Sequence, residues 1–154
     1  MTGTVRVSAK AVVVVNGRLL LLKHRDAEGD WHSLPGGGQM HGETVAEAIQ
    51  RECLEETGLQ VRMGRLLFIR DYIAKNHEFA QEDGDAHQVE LMFECELVGG
   101  DTPRLGATPD EMQTGAGWVD LADLPTCRMY PKAVARILAT GVPEGGAVYL
   151  GDVN

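Results

Sequence analysis

The stretch Gly37–Leu59 reads GGQMHGETVAEAIQRECLEETGL and predicts a helix that follows a glycine-rich loop. Thr44 and Glu47 have the spacing of a capping box, which predicts that the helix begins at Thr44. Gly58 is typical of a residue that ends a helix, so we expect the helix to run through Thr57. The apolar residues recur at helical spacing and share one face: Val45, Ala48, Ile49 and Cys53.

Three acids crowd the last two turns of this predicted helix. Glu52 lies three residues before Glu55 and four before Glu56, so all three carboxylates are expected on one face. Each like-charge pair at this spacing costs roughly 0.2–0.5 kcal/mol, and carboxylates at a helix C-terminus also oppose the helix dipole. Arg51 is the only cation in the stretch. Helix stability alone therefore does not account for the cluster.

A solvated acidic face is the simplest interpretation of such a cluster. We favour a metal site instead, because the apolar residues occupy the opposite face and the acids project together. The preceding Gly36-Gly37-Gly38 lets the backbone approach a ligand closely. Clustered oxygen ligands suit Mg²⁺ or Mn²⁺, which bridge to the phosphates of a substrate.

The same stretch resembles the signature of the Nudix hydrolases. That signature is Gly, five residues, Glu, seven residues, Arg-Glu, an apolar residue, any residue, Glu-Glu, any residue, Gly and an apolar residue. Its fixed positions are met by Gly37, Glu43, Arg51, Glu52, Glu55, Glu56 and Gly58. Cys53 fills an apolar position that is more often aliphatic. The flanks Leu34-Pro35-Gly36 and WVDLADLP at 118–125 also resemble those of the family.

The resemblance implies a single Nudix domain over residues 1–154, of the α+β class, with a mixed β-sheet flanked by helices as an α/β/α sandwich. The sequence pattern agrees with this class. The pattern predicts a hairpin at Asn16-Gly17 within Val5–Leu22, a polar loop over Lys23–Ser33 and irregular backbone over Leu34–Gly38. It predicts strands over Leu59–Ile73, His87–Val98 and Ala116–Val119. A mobile loop is expected over Ala74–Ala86 and a second helix over Tyr130–Thr140.

The resemblance also implies roles for the site residues. Magnesium, with manganese as the alternative, would be bound by Glu52, Glu55, Glu56 and the Gly36 carbonyl. Glu43 would support the glycine loop with Gly37, and Arg51 would orient a carboxylate by ion pairing. The implied reaction is the attack of an activated water on phosphorus in a nucleoside diphosphate linked to another group.

The proton acceptor stays open between Glu52 and an acid outside the signature. Glu111 is our candidate for the second option, and the competing loop acids are Asp110, Glu82, Asp83 and Asp85. Arg25 is a candidate contact to substrate phosphate, with a solvated surface arginine as the alternative. Trp31 is expected to pack beneath the glycine loop rather than stack on a base. His77 and His87 flank the acidic loop and are further candidates for substrate contact.

The substrate is expected to be a small nucleotide such as a (d)NTP. The signature is shared by enzymes that act on ADP-ribose or nucleotide sugars, but a proline that often marks the ADP-ribose enzymes is absent from Ile73–Lys75. A non-catalytic nucleotide-binding sensor of the same fold is another alternative. Such sensors usually lose acids of the signature, and this chain keeps them all, so an enzyme is expected.

The composition and charge of the chain limit its possible binding partners and cellular location. The net charge of −9 disfavours non-specific binding to nucleic acid. Three separated cysteines cannot form a complete disulfide framework. The apolar runs are too short to span a bilayer, so a cytoplasmic protein without membrane contact is expected. A homodimer through an edge strand at Val5–Val15 is one option for the oligomeric state.

Overall fold

A computed structural model describes residues 3–104 and 113–154. The strands of the described residues are Val5–Val12 (β1), Val14–Val15 (β2), Arg18–Asp26 (β3), Gly29–Ser33 (β4), Gly36–Gly38 (β5), Val61–Ile73 (β6), His87–Leu97 (β7), Gln113–Asp120 (β8), Met129–Tyr130 (β9) and Tyr149–Asp152 (β10). The helices are Val45–Thr57 (α1), Ala80–Asp83 (α2) and Lys132–Leu138 (α3), with 3₁₀ turns at Ala74–Asn76 and Leu121–Thr126.

The strands form two five-stranded sheets rather than one. The first has the order β10-β6-β7-β1-β5 and is mixed, because β1 runs parallel to β7 whereas β6 and β7 are antiparallel. The second has the order β2-β3-β4-β9, and β8 pairs with β3. Mixed sheets with flanking helices confirm the predicted α+β class.

The hairpin at Asn16-Gly17 is present as predicted. Both residues have positive φ, 51° and 73°, and Val15 pairs with Arg18 across the turn. Positive φ at both central residues is what a two-residue turn between right-twisted strands requires, and asparagine and glycine adopt it most readily. The turn places β2 and β3 in one sheet and so begins the second sheet.

Three expectations about the first 40 residues are wrong. Lys23–Ser33 is not a loop, since it contains the end of β3 and all of β4, whose polar residues alternate between two faces. Gly36–Gly38 is regular structure, because its backbone pairs with β1. Val5–Val12 is not an edge strand, because β1 is paired on both sides, with β5 and β7. Of the suggested dimer edge Val5–Val15, Val14–Val15 (β2) does lie at the edge of a sheet, so the homodimer stays a prediction.

The core has two parts, one on each face of the first sheet. The first part lies against α1 and includes Ala9, Ala11, Ile49 and Cys53, all without exposed surface. The second part lies toward the second sheet and α3, and it includes Val12, Phe68, Met92 and Leu138. The sequence of β1, VRVSAKAV, alternates between apolar and polar residues. Its Ala9 and Ala11 belong to the first part of the core, whereas Val12 belongs to the second.

The helix ends that depend on neighbouring residues agree with the sequence pattern. Helix α1 has the predicted capping box, and Gly58 ends it with φ 73°. The second predicted helix is shorter, Lys132–Leu138. The predicted loop at Ala74–Ala86 instead contains a 3₁₀ turn and α2, and we call this segment the β6–β7 insertion. None of the helices that the structure describes is long and apolar enough to cross a membrane.

The cap at Thr44 can be tested. Its side-chain oxygen accepts the Glu47 amide at 3.1 Å, so Thr44→Ala is expected to lower the free energy of unfolding by about 1 kcal/mol. Thr44→Ser keeps the hydroxyl and is the control. Urea unfolding measures both variants. Equal stability of the alanine and serine variants would show that the cap does not stabilise α1.

Candidate active site

Strand β5 brings glycine backbone directly against helix α1. A Cβ added at Gly37 would lie 2.6 Å from Oε1 of Glu52, and one added at Gly36 would lie 2.1 Å from the Ala9 carbonyl oxygen. Gly36 also has φ 142°, which side-chain-bearing residues rarely adopt. The glycines are therefore required for this approach, and they place the Glu52 carboxylate against the strand.

Glu56 points into the protein rather than toward solvent. It is only 3% exposed, and its Oε1 accepts the Gly36 amide at 2.8 Å. Its backbone carbonyl accepts the side-chain amide of Gln113 at 2.9 Å, which joins the end of α1 to β8. The three acids in the last two turns of α1 are not equivalent, because the side chain of Glu55 is 41% exposed whereas Glu56 is buried.

Arg51 connects the acids of α1 to the glycine strand. Its Nε and Nη2 donate to the two oxygens of Glu43 at 2.7 and 3.0 Å, and Nη1 donates to Glu52 at 2.9 Å and Glu55 at 3.4 Å. Nη2 also donates to the Gly38 carbonyl at 3.2 Å. Hydrogen bonds from Arg51 and from the Met40 amide lower the pKa of Glu43 to about 2.

A cleft between the two sheets ends at this cluster. It has a volume of about 360 Å³, and both Gly36 and Glu56 line it. Lys10, on β1, lies in the cleft and donates to the Gly36 carbonyl at 3.3 Å. Of the acids on α1, Glu56 lines the cleft, beside Gly36, and we call this part of the cleft its inner end.

A buried ion pair lies in the floor of the cleft. Nε of Arg70 donates to Glu90 at 2.7 Å, and both residues are almost fully buried. Burial alone raises the pKa of Glu90, but the charges of Lys10 and Arg70 outweigh it, so the pKa is lowered and the carboxylate stays ionised. The cleft therefore has two cations inside a protein of net charge −9.

Aromatic rings line the cleft beyond this floor. Trp31 stacks on His24 with 4.0 Å between centroids, and Phe79 and Tyr130 lie 5.7 and 5.8 Å from Trp31. All four residues line the cleft. Trp31 does pack against neighbours, as expected, but within the wall of the cleft.

The structure does not bring every predicted residue to this place. Arg25 is paired with Asp30 at 2.9 Å and is 67% exposed, and it is not among the residues that line the cleft. Glu111 and Asp110 lie outside the described residues. His77 and His87 are bound to Asp152 at 2.6 Å and Asp71 at 2.8 Å, away from the acids of α1.

Several cleft residues were missed by the sequence analysis. They are Lys10, Arg70, Tyr72, Phe79, Gln88, Glu90 and Tyr130. Polar residues at alternate positions of otherwise apolar strands were the available signal, as in Arg70 and Tyr72 on β6 or Gln88 and Glu90 on β7. Such alternation indicates that one face of the strand is polar, but it does not indicate which sheet that face packs against.

The donors of a metal site are present, but they are held by protein groups. Within residues 3–104 and 113–154, no set of three or more histidine, cysteine, aspartate or glutamate side chains is arranged as a metal site. Glu56 is held by the Gly36 amide, and Glu52 and Glu55 are held by Arg51. All of these donors are oxygens, the type that magnesium prefers.

Comparison with known proteins identifies the family. The NUDIX domain model matches residues 5–140, so the chain belongs to the Nudix family, as the signature predicted. The chain is 30% identical over 120 residues to the ADP-ribose pyrophosphatase of Methanocaldococcus jannaschii, covering 77% of this chain and 64% of the relative. It is 34% identical over 133 residues to the NAD-capped RNA hydrolase of Chromobacterium violaceum, covering 84% of this chain and 43% of the relative.

Solved structures agree with the fold. The MutT Nudix hydrolase of Burkholderia pseudomallei has a TM-score of 0.66 at 29% identity, covering 92% of this chain and all of that one. A Nudix hydrolase from Nitrosomonas europaea has a TM-score of 0.69 at 20% identity, covering 89% of this chain and 88% of that one. The chain spans between 23% and 64% of the length of the curated relatives it matches.

The close approach at Gly37 can be tested by adding a methyl group. We expect Gly37→Ala to push the Glu52 carboxylate away from Arg51, because the nearest atoms to the new Cβ belong to that flexible side chain. The thermal midpoint should change little. Gly100→Ala, where nothing lies within 4 Å of the added Cβ, is the control. A crystal structure in which Gly37→Ala leaves the 2.9 Å contact between Arg51 and Glu52 intact would contradict this.

The ionisation of Glu43 gives a pH prediction. Its pKa in the folded protein, about 2, lies below the ordinary value of 4.5. The ion pair with Arg51 therefore contributes stability that is fully present above about pH 4.5 and is lost as the pH falls through 2. An NMR titration of the Glu43 carboxyl carbon should show the low midpoint. Arg51→Gln should move it up toward 4.5, and a wild-type midpoint already near 4.5 would disprove the pairing.

Proposed function

We propose that this protein is a divalent-metal-dependent hydrolase that cleaves the diphosphate linkage of a nucleoside diphosphate derivative. Membership of the Nudix family and the pyrophosphatase names of its relatives support the class. The observation that carries the proposal is the buried Glu56 carboxylate, held at 2.8 Å by the Gly36 amide at the inner end of the cleft. A ligand site is the best explanation for this arrangement, in which an acid is buried beside glycine backbone and shares a helix face with two further acids.

Magnesium is the proposed cofactor, with manganese as the alternative. Glu52, Glu55, Glu56 and the Gly36 carbonyl would hold it, and the oxygens of Glu52, Glu55 and Gly36 already accept hydrogen bonds from cationic groups. Nη1 of Arg51 contacts both Glu52 and Glu55, and the Lys10 ammonium contacts the Gly36 carbonyl. When bound, the ion would offset phosphate charge and lower the pKa of water.

The protein's own groups would then position the reactants. The oxygen of water adds to phosphorus, the bridging P–O bond breaks, and the proton passes to a carboxylate. Glu52 and Glu111 are the two candidates for that carboxylate. Lys10 lies beside Gly36 and is available to orient a phosphate oxygen. Of Glu52→Gln and Glu111→Gln, the variant that removes the acidic limb of the pH–rate profile identifies the proton acceptor.

A small nucleotide such as a (d)NTP is our first candidate for the substrate. ADP-ribose is the second, because the M. jannaschii relative that aligns with 77% of this chain is named an ADP-ribose pyrophosphatase. A nucleotide sensor is less well supported, since every acid of the signature is retained. The contact of Arg25 with phosphate stays a prediction that its placement does not support. The cytoplasmic location and a homodimer stay predictions as well.

Glu56→Gln tests the proposal directly. We expect kcat/KM to fall about 100-fold or more for every substrate, because the loss of a direct ligand should exceed the 10–100-fold effect of losing its supporting partners. The fold should persist, since the glutamine carbonyl can still accept the Gly36 amide. The measurement is phosphate or nucleotide release over a panel of nucleoside triphosphates, ADP-ribose and nucleotide sugars with magnesium.

Glu47→Gln is the matched control, because it removes a carboxylate from the same helix and can keep the capping box. Binding of Mn²⁺ by calorimetry gives a readout that does not depend on turnover, and Glu56→Gln should weaken it. Wild-type protein that binds nucleotides but hydrolyses none of the panel would overturn the enzymatic proposal. Equal activity of the Glu56 and Glu47 variants would overturn the assignment of the site.

A further inference from the structure

The cleft continues into a second, outer cavity. This outer cavity also measures about 360 Å³, and it shares four lining residues with the inner one: Trp31, Phe79, Asp83 and Tyr130. Each volume lies within the range of small-ligand sites. A substrate with its phosphates at Gly36 and Glu56 would therefore extend past these four residues.

Three of the shared residues form an aromatic wall, namely Trp31, Phe79 and Tyr130. The rings of Phe79 and Tyr130 meet edge to face at 4.9 Å, and Trp31 is tilted against Phe79 at 5.7 Å. They come from β4, the β6–β7 insertion and β9, so only the folded chain assembles them. Aromatic walls bind planar heterocycles by stacking, and they tolerate any base.

Carboxylates surround the outer cavity, and most of them are already paired. Asp26 accepts from Arg128 at two distances of 2.9 Å, Glu28 contacts Arg128 at 3.2 Å, and Glu78 accepts from Lys132 at 3.0 Å. Arg128, the cation that lines this cavity, is thus already ion-paired with carboxylates. The surroundings offer acceptors to a ligand and few free cations.

Asp83 differs from the other carboxylates of this cavity. It lines both cavities, and its one side-chain hydrogen bond within the described residues comes from the Tyr72 hydroxyl to Oδ2, at 2.7 Å. No cation is paired with it in the described part of the chain. A carboxylate has about four acceptor positions, so Asp83 keeps capacity for a donor from a ligand.

We infer that the aromatic wall and Asp83 form a nucleobase subsite that prefers bases with an exocyclic amino group. This inference rests on the proposed function. The amino group of cytosine or adenine donates to the Asp83 carboxylate, whereas the carbonyl at the same position of uracil or hypoxanthine faces it as a second acceptor. Stacking on the wall supplies affinity, and Asp83 supplies the discrimination.

Trp31 does not provide this discrimination. Its Nε1 is buried beside the cavity and has no partner within the described residues. Acceptors that could receive this donor occur in both members of each pair, namely O2 of cytosine and uracil, and N3 and N7 of adenine and hypoxanthine. Substitution of Trp31 should therefore weaken binding of all four bases alike.

The test compares nucleotides that differ at this one position. We expect kcat/KM to be at least about tenfold higher for CTP than for UTP and for ATP than for ITP. Asp83→Asn should bring both ratios close to one, because the amide can also donate to a carbonyl. Glu82→Gln is the matched control, since it removes a charge from the same helix at a residue that lines only the outer cavity. It should leave both ratios unchanged.

Ratios near one in the wild type, or an equal response of the Asp83 and Glu82 variants, would overturn the subsite. A binding measurement separates this outcome from failure of the proposed function. Trp118→Phe leaves Trp31 as the only tryptophan, because the chain has two. Quenching of Trp31 fluorescence by CMP and UMP should then show tighter binding of CMP. Tighter binding of CMP without hydrolysis of any nucleoside triphosphate, ADP-ribose or nucleotide sugar would support the subsite and overturn the enzyme.

Discussion

The hydrogen bond from the Gly36 amide to the Glu56 carboxylate joins the parts of the molecule on which the site depends. Glu56 ends up 3% exposed because strand β5 passes beside the last turns of α1. The glycines make this approach possible, since a Cβ at Gly36 or Gly37 would meet the Ala9 carbonyl or the Glu52 carboxylate. Burial of a polar group is costly unless it is hydrogen-bonded, so this contact holds the helix and the strand in one arrangement.

The anionic ligand that we propose has to bind to a chain of negative net charge. A protein of net charge −9 repels phosphates at long range. Lys10 and Arg70 nevertheless lie inside the cleft, where screening by salt is weak. Arg51 pairs with three carboxylates, and its single charge offsets part of theirs. The cleft thus combines its two cations with Glu56 and Glu90, while the carboxylates around the outer cavity are acceptors that suit an uncharged base.

The second sheet and the β6–β7 insertion add the outer cavity to the inner end of the cleft, where Gly36 and Glu56 lie. Trp31 and His24 come from the β3–β4 hairpin, Phe79 and Asp83 from the insertion, and Tyr130 from β9. The insertion is bound to the rest of the chain through Glu78, which accepts from Lys132 and Asn154. An ion pair and a neighbouring hydrogen bond therefore hold the insertion, which supplies Phe79 to the aromatic wall.

The sequence by itself determined the family, the α+β class, the limits of α1 and the Asn16-Gly17 turn. Each depends on residues close together in the chain, through capping, helical spacing or turn conformation. Only the tertiary structure decided that Glu56 turns inward, that Gly36–Gly38 is a strand, and that Lys10, Arg70 and Tyr130 line one cleft with Trp31. These features depend on which strands pair and which faces meet, and contacts between distant segments leave no periodic signal in the sequence.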